Sequence, residues 1–416
     1  MRADNLDILF LGGLFPKEKE KEILENSKGY VQIAANVLQQ GIVLGLDSNC
    51  KGQARILNSL YVGSFPCSYR ELFIKTYPFS HTDGAKDINV GYLNLAGITR
   101  ITRFLSLKPF LKKWVAENNG KKKVIIAYAA TATFTGLLKY VKKRNRNIIT
   151  CLVVPDLPQY MSMAHLQSPL YKMLKWFEVK LIMRDSSYID GFVLLTEQMK
   201  NALKIKVPHT LLEGVASDIF ENIEDNPQNS DIKKVLYTGD LSSKYGIIDL
   251  INAFKQLPEE NCRLIICGTG NTEELLKRES LKDKRIEFKG LVTREEALGL
   301  QKSATVLINP RPNNEEYTKY SFPSKILEYL SSGRPVISYK LDGIPEEYFD
   351  HMYTIDEGEG EEVILAELKK VLSKAEEELS EKGRKAREFV LAEKNAAVQT
   401  KKIIEMIVEI SKTVQQ

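Results

Sequence analysis

Four stretches in the second half of the chain combine residue types that could hold an anionic ligand. In three, a run of strand length ends in a glycine turn: Tyr237-Thr238-Gly239-Asp240, Cys267-Gly268-Thr269-Gly270 and Phe288-Lys289-Gly290-Leu291-Val292. Turns of this kind expose backbone N–H groups, and the helix that follows adds partial positive charge at its start. Lys244, a few residues beyond the first turn, adds a full one. The fourth stretch runs from Ile308 to Ile337. A strand there opens into a polar loop carrying Arg311, a helix starts near Ser321 to Ser324 with Pro323 at a tolerated early position, and Gly333 closes it. The Ser321 and Ser324 hydroxyls, free N–H groups and Lys325 can hold a diphosphate. Glu328, a turn further in, can accept two hydrogen bonds from the hydroxyls of a ribose.

Other chemistries lack their signatures. No G-x-G-x-x-G follows a strand and no G-x-x-x-x-G-K-[ST] occurs, which argues against hydride transfer on a dinucleotide and against a P-loop NTPase. No D-x-D stands out as a metal clamp. The four histidines share no constellation, although His165, shortly after Asp156-Leu157-Pro158, could line a cleft. The five cysteines are scattered without a C-x-x-C pair, as expected of a reduced, cytoplasmic protein.

The elements that must position these residues follow from periodicity. Continuous apolar runs at Val235–Thr238, Leu264–Cys267, Ile286–Phe288, Thr305–Ile308 and Pro335–Ser338 alternate with amphipathic helical segments. That pattern predicts a parallel sheet covered on both faces, a doubly wound α/β domain. The first half repeats it less clearly. Strands are predicted at Leu6–Leu11, Ile42–Leu46, Val124–Tyr128, Ile148–Val154, Gly191–Leu195 and His209–Leu212, with a helix over Gly29–Gln39. A polar stretch marks a linker at 221–232 between domains at 1–220 and 233–395. Residues 396–416 read as a helix that packs back, expected to return to the first domain.

The segment F-P-S-K-I-L-E-Y-L-S-S-G-R-P-V-I, with Y-T-G-D-L, I-C-G-T-G-N, F-K-G-L-V and I-N-P-R before it, resembles the signature of family 4 retaining glycosyltransferases of the GT-B fold, in their bacterial surface-polysaccharide branch. The resemblance is dense from Val235 to Ile337 and thin before it. It implies two Rossmann-like domains facing across a cleft, with a nucleotide sugar, expected to be a UDP-sugar, as co-substrate and neither metal nor cofactor. Glu328 would be the second glutamate of an E-x7-E pattern and the ribose ligand. Tyr320, Ser321, Phe322, Pro323, Ser324 and Lys325 would face the diphosphate and sugar, Gly239, Lys244 and Gly268 the phosphates, and Gly290, Leu291 and Val292 the base. Two positions depart from the family: Tyr320 stands where the first glutamate is expected, and Asp240 where many members have arginine. Arg311 or Lys244 is expected to supply that charge, and with Lys325 to stabilise the leaving diphosphate. The implied reaction moves a sugar to a glycan or lipid-linked acceptor. A non-catalytic scaffold and a sugar-nucleotide epimerase remain open as alternatives.

On the acceptor side, Gly12-Gly13 either approaches a sugar or phosphate closely or serves as an ordinary turn, and Asp156 either orients an acceptor hydroxyl or caps a turn. Aromatic residues lie beside lysines at Phe104–Val115 and Tyr171–Phe177. They suit either contact with anionic headgroups on the inner face of a membrane or packing on a sheet with the lysines in solvent. The length of 416 residues allows two or three domains. The 59 basic residues against 54 acidic ones leave a charge of +5, too little to announce a nucleic-acid partner.

Overall fold

The computed structural model describes residues 5–29, 31–50, 54–161, 169–221, 223, 231–355 and 358–413. His165 and most of the expected linker lie outside them. The chain forms two compact units: Met1–Val215 with Ala396–Gln416, and Ala216–Asn395.

The first unit is built on an eight-stranded sheet. Its strands are β1 (Leu6–Gly12), β2 (Arg55–Asn58), β4 (Tyr77–Phe79), β5 (Asp87–Asn89), β7 (Lys122–Tyr128), β8 (Ile149–Val154), β9 (Gly191–Leu194) and β10 (His209–Leu211), while β3 (Phe73–Ile74) and β6 (Tyr92–Leu93) form a separate antiparallel pair. Their order across the large sheet is β10-β9-β8-β7-β1-β2-β5-β4. Only β4, at the edge, runs antiparallel to its neighbour there. Every residue of β1 and β8 is buried, as expected of strands covered on both faces.

The predicted strand at Ile42–Leu46 is instead the second half of a helix, Ile33–Asn49. Ile42, Val43 and Leu46 are buried at helical spacing, so the β-branched run that suggests a strand is one stripe of that helix. The strand that follows β1 is the four-residue β2, too short for its pattern to declare itself. The tail helix Ala396–Thr413 belongs to this unit, and Ile403, Ile404, Met406, Ile407 and Ile410 join its core with Ile8, Phe10 and Ile126 of the central strands. Gly45 permits the close approach, since a Cβ there would stand 2.1 Å from the Ala396 carbonyl oxygen. Asn49 Nδ2 donates to Thr400 Oγ1 at 2.9 Å across the same contact.

The second unit carries a six-stranded parallel sheet. The strands are β11 (Lys233–Asp240), β12 (Cys262–Thr269), β13 (Ile286–Gly290), β14 (Val306–Asn309), β15 (Val336–Tyr339) and β16 (Tyr353–Ile355), in the order β13-β12-β11-β14-β15-β16. Strand order reverses between β11 and β14. In an open parallel sheet the crevice beyond the carboxyl ends of such a pair is where ligands bind.

A charge clamp joins elements of the first unit. His81 Nδ1 lies 2.6 Å from Asp87 Oδ2 and Nε2 lies 2.8 Å from Asp47 Oδ2. Burial alone would lower the imidazole pKa, but the hydrogen bonds and charges of the two carboxylates raise it from 6.5 to about 9. A raised folded-state value stabilises the fold fully below the unfolded value, and the gain disappears as pH rises through the folded one. Urea unfolding should therefore show stability falling by about 3 kcal/mol between pH 6.5 and 9, from a shift of that size at 1.36 kcal/mol per unit. His81→Gln should lack that fall.

Candidate nucleotide-sugar site

The site residues of the second unit gather beyond the ends of β11 and β14. Gly268 has φ +138°, and a Cβ there would stand 1.7 Å from the Gly239 carbonyl oxygen, so glycine is what lets the first two turns lie against each other. Asn271 Oδ1 ties them further by accepting from the Ser243 N–H at 2.9 Å. Asp240, the departure from the family pattern, shapes its own turn: Oδ1 accepts from the Ser242 N–H at 2.7 Å. Gly246, at φ +73°, follows a short turn carrying Lys244 and Tyr245, and a Cβ there would stand 2.0 Å from the Pro310 carbonyl oxygen. Its lack of a side chain brings the Lys244 turn against the loop after β14.

Arg311 is the first residue of that loop beyond Pro310. It is 5% exposed, Nε and Nη2 have no hydrogen-bond partner, and no carboxylate forms an ion pair with it among the described residues. Aromatic rings hold it instead. Its guanidinium carbon lies 4.8 Å from the Tyr317 ring centre and 5.8 Å from that of Tyr245. Lys244 Nζ approaches the same rings, at 5.5 Å and 5.1 Å. Two cations thus converge on one pair of tyrosines at the point where strand order reverses.

The helix Ser324–Ser331 starts with Pro323 at its N-cap and no side-chain cap. Its first N–H groups and the exposed Ser324 are therefore offered outward. Glu328 Oε1 accepts from Gln301 Nε2 at 2.8 Å and from Lys325 Nζ at 3.2 Å. Burial would raise the Glu328 carboxyl, but the charge of Lys325, hydrogen bonds from Gln301 and Lys325, and the charge of Arg294 together hold it below the usual range. Gln301 also donates to Thr238 Oγ1 at 3.0 Å, and the Thr238 N–H donates to the Tyr329 hydroxyl at 2.8 Å, fastening Glu328 to the end of β11. Gln301 is completely buried on a helix with four charged residues among its ten, so nothing in the sequence singles it out. Tyr329, Tyr245 and Tyr317 lie inside the expected segments, but nothing in the sequence singles them out.

Other expected residues have varied placements. Phe322 is buried with its ring 5.3 Å from that of Tyr348, so its side chain serves the core rather than a donor. Gly290, at φ +66°, and Leu291, 80% exposed, leave an open shelf at the end of β13, with Val292 half-buried beside them. Tyr320 and Ser321 are half-buried in the approach to the helix. In the first unit, Asp156 is exposed just after β8. Gly12 and Gly13 are buried, and the Gly13 N–H already donates to Gln39 Oε1 at 2.8 Å. A Cβ at Gly13 would stand 2.5 Å from the Tyr61 ring, so tight packing accounts for this pair and its N–H is not presented to an acceptor. No group of three or more His, Cys, Asp or Glu is placed to hold a metal ion among the described residues.

Residues 232–374 match the family of glycosyl transferases group 1. Among solved structures, the chain resembles a sucrose-phosphate synthase from Thermosynechococcus elongatus, with a TM-score of 0.60 and 16% identity over 98% of this chain and 100% of that one. It also resembles the lipopolysaccharide outer core galactosyltransferase WaaB (TM-score 0.61, 14% identity, 97% and 99% covered). A third is HepE of Anabaena in complex with UDP (TM-score 0.58, 12% identity, 97% and 100% covered). No curated protein sequence matches the chain. The fold is GT-B, with two Rossmann-like domains, and the second of them carries a glycosyltransferase group 1 domain.

The Gly246 contact is testable by substitution. Gly246→Ala should lower stability by about 1–3 kcal/mol in urea unfolding, because it sets a Cβ against Pro310 at a left-handed φ.

Proposed function

We propose that the chain is a retaining glycosyltransferase that moves a sugar from a UDP-sugar to a glycan or lipid-linked acceptor of a surface polysaccharide, in the cytoplasm and without a metal. The observation that carries this reading is Arg311, a buried guanidinium with two unsatisfied nitrogens and no carboxylate partner among the described residues, set at the strand-order reversal of a domain that matches glycosyl transferases group 1. A diphosphate would supply the missing acceptors and the missing charge. Glu328, kept ionised, suits the ribose hydroxyls, and the open shelf at Gly290 to Val292 suits the base. The UDP complex of HepE and the galactosyltransferase name of WaaB support a UDP-sugar and a surface glycan.

In this reading the acceptor hydroxyl oxygen bonds to the anomeric carbon on the face that the diphosphate leaves. The bond between that carbon and the phosphate oxygen breaks with its electron pair going to the diphosphate, and the hydroxyl proton passes to the departing phosphate oxygen. Configuration is retained and no protein nucleophile takes part. Arg311, Lys244, Lys325 and the uncapped helix start stabilise the charge growing on the leaving group, which makes the protein's contribution positional and electrostatic. Asp156 is the candidate for orienting the acceptor hydroxyl.

Calorimetry with UDP, GDP and ADP tests the donor. UDP should bind most tightly, and Glu328→Ala should weaken it roughly tenfold to hundredfold, the worth of a hydrogen bond to a charged group. Failure of all three nucleotides to bind, or undiminished turnover in Glu328→Ala, would overturn the proposal.

A further inference from the structure

Three helices of the first unit, Thr99–Ala116, Ala132–Arg144 and Pro169–Asp185, lie side by side, the outer two each against the middle one. Their charges are lopsided. They carry five, four and four basic residues against two acidic ones, Glu178 and Asp185. Both carboxylates are buried and paired: Glu178 with Lys175 and Arg100 at 3.1 Å each, and Asp185 with Lys139 at 2.7 Å and Arg184 at 2.9 Å. What these helices show to solvent is therefore cationic or apolar. The whole chain's surplus is only five, so this layer concentrates positive charge that the rest of the molecule offsets.

The apolar part is organised as well. Ile101 and Leu105 stand one helical turn apart, and Leu170, Leu174 and Phe177 follow the spacing of a single helix face, with Trp176 beside them. Each of these six side chains is more than half exposed. The Arg100–Glu178 ion pair joins the two helices, so the two stripes are neighbours. Lys180 Nζ sits 3.7 Å from the Trp176 ring centre, and Lys172 is exposed on the same helix. The sequence pattern points to Phe104–Val115 and Tyr171–Phe177; in the first of these Leu107, Leu111 and Trp114 are buried, and Phe110, Lys113 and Trp114 line a cavity of about 600 Å³ in this unit.

We infer that this face binds the surface of an anionic lipid bilayer, with Ile101, Leu105, Leu170, Leu174, Trp176 and Phe177 entering the headgroup boundary and the surrounding lysines and arginines meeting lipid phosphates. The charge decides the occupant. A second copy of the same face would set like charges against each other, whereas anionic headgroups complement them. No described helix is long and apolar enough to cross a membrane, so the contact is interfacial. The inference stands independently of the donor chemistry.

Co-sedimentation of the full chain with vesicles tests it. Binding should be strong to phosphatidylcholine vesicles containing roughly one-third phosphatidylglycerol, weak to pure phosphatidylcholine, and reduced by added salt. Leu174→Asp with Phe177→Asp should bind roughly tenfold more weakly or worse while melting and binding UDP as the wild type does. Lys172→Glu with Lys180→Glu should lose the preference for phosphatidylglycerol, and this second pair keeps the test open should the first not fold. A wild-type chain that stays in the supernatant with both vesicle types overturns the inference. So does an aspartate variant that sediments unchanged, or a wild-type dimer in sedimentation velocity that the aspartates dissociate without any effect on vesicles.

Discussion

A single uncompensated charge organises the second domain. Arg311 is nearly removed from water, and the groups around it are tyrosine rings and another cation. Burying a guanidinium without a carboxylate costs free energy that cation–π contacts offset only in part. Folding alone gives no reason to keep such a group. An anionic ligand does, because it restores the missing hydrogen bonds and charge when it arrives. The glycines serve the same end: Gly246 brings the Lys244 turn against Pro310, and Gly268 seats the second turn on the first, so the cations are in place before any ligand binds.

Glu328 obeys the opposite electrostatic logic. Its carboxylate is compensated in advance by Lys325 and Gln301, and Gln301 is fixed through Thr238 and Tyr329 to the end of β11. An ionised acceptor held in position suits neutral hydroxyls, whereas an unmet cation suits a phosphate. In the proposed reading, one crevice thus offers different chemistry to the two ends of a nucleoside diphosphate. Asp240 fits this arrangement as a turn former, since its carboxylate is taken by Ser242, and in the proposed reading the positive charge comes from Arg311 or Lys244.

Much of this is legible in the sequence because it depends on local pattern. Most strands of the second domain are continuous apolar runs, and the helix start at Pro323 to Lys325 follows from proline and serine chemistry. What escapes depends on tertiary contact. Gln301 matters only because its helix turns it completely inward, and Gly246 only because Pro310 comes close. Ile42–Leu46 misleads because a buried helix can carry the β-branched run of a strand, and Gly12-Gly13 stays open in the sequence because a glycine pair fits packing against Phe10 and Tyr61 as well as it fits a ligand. Net charge misleads most. A surplus of five conceals a helical layer whose only carboxylates are turned inward.

The central claim, that Arg311 is kept for a diphosphate at the expense of stability, is tested most directly by thermal denaturation of the wild type and Arg311→Met with and without saturating UDP. Methionine fills similar space without charge, so the variant alone should be more stable than the wild type, by about 1–3 kcal/mol, and should gain little from UDP. A variant less stable than the wild type and still stabilised by UDP to the same degree would contradict the account.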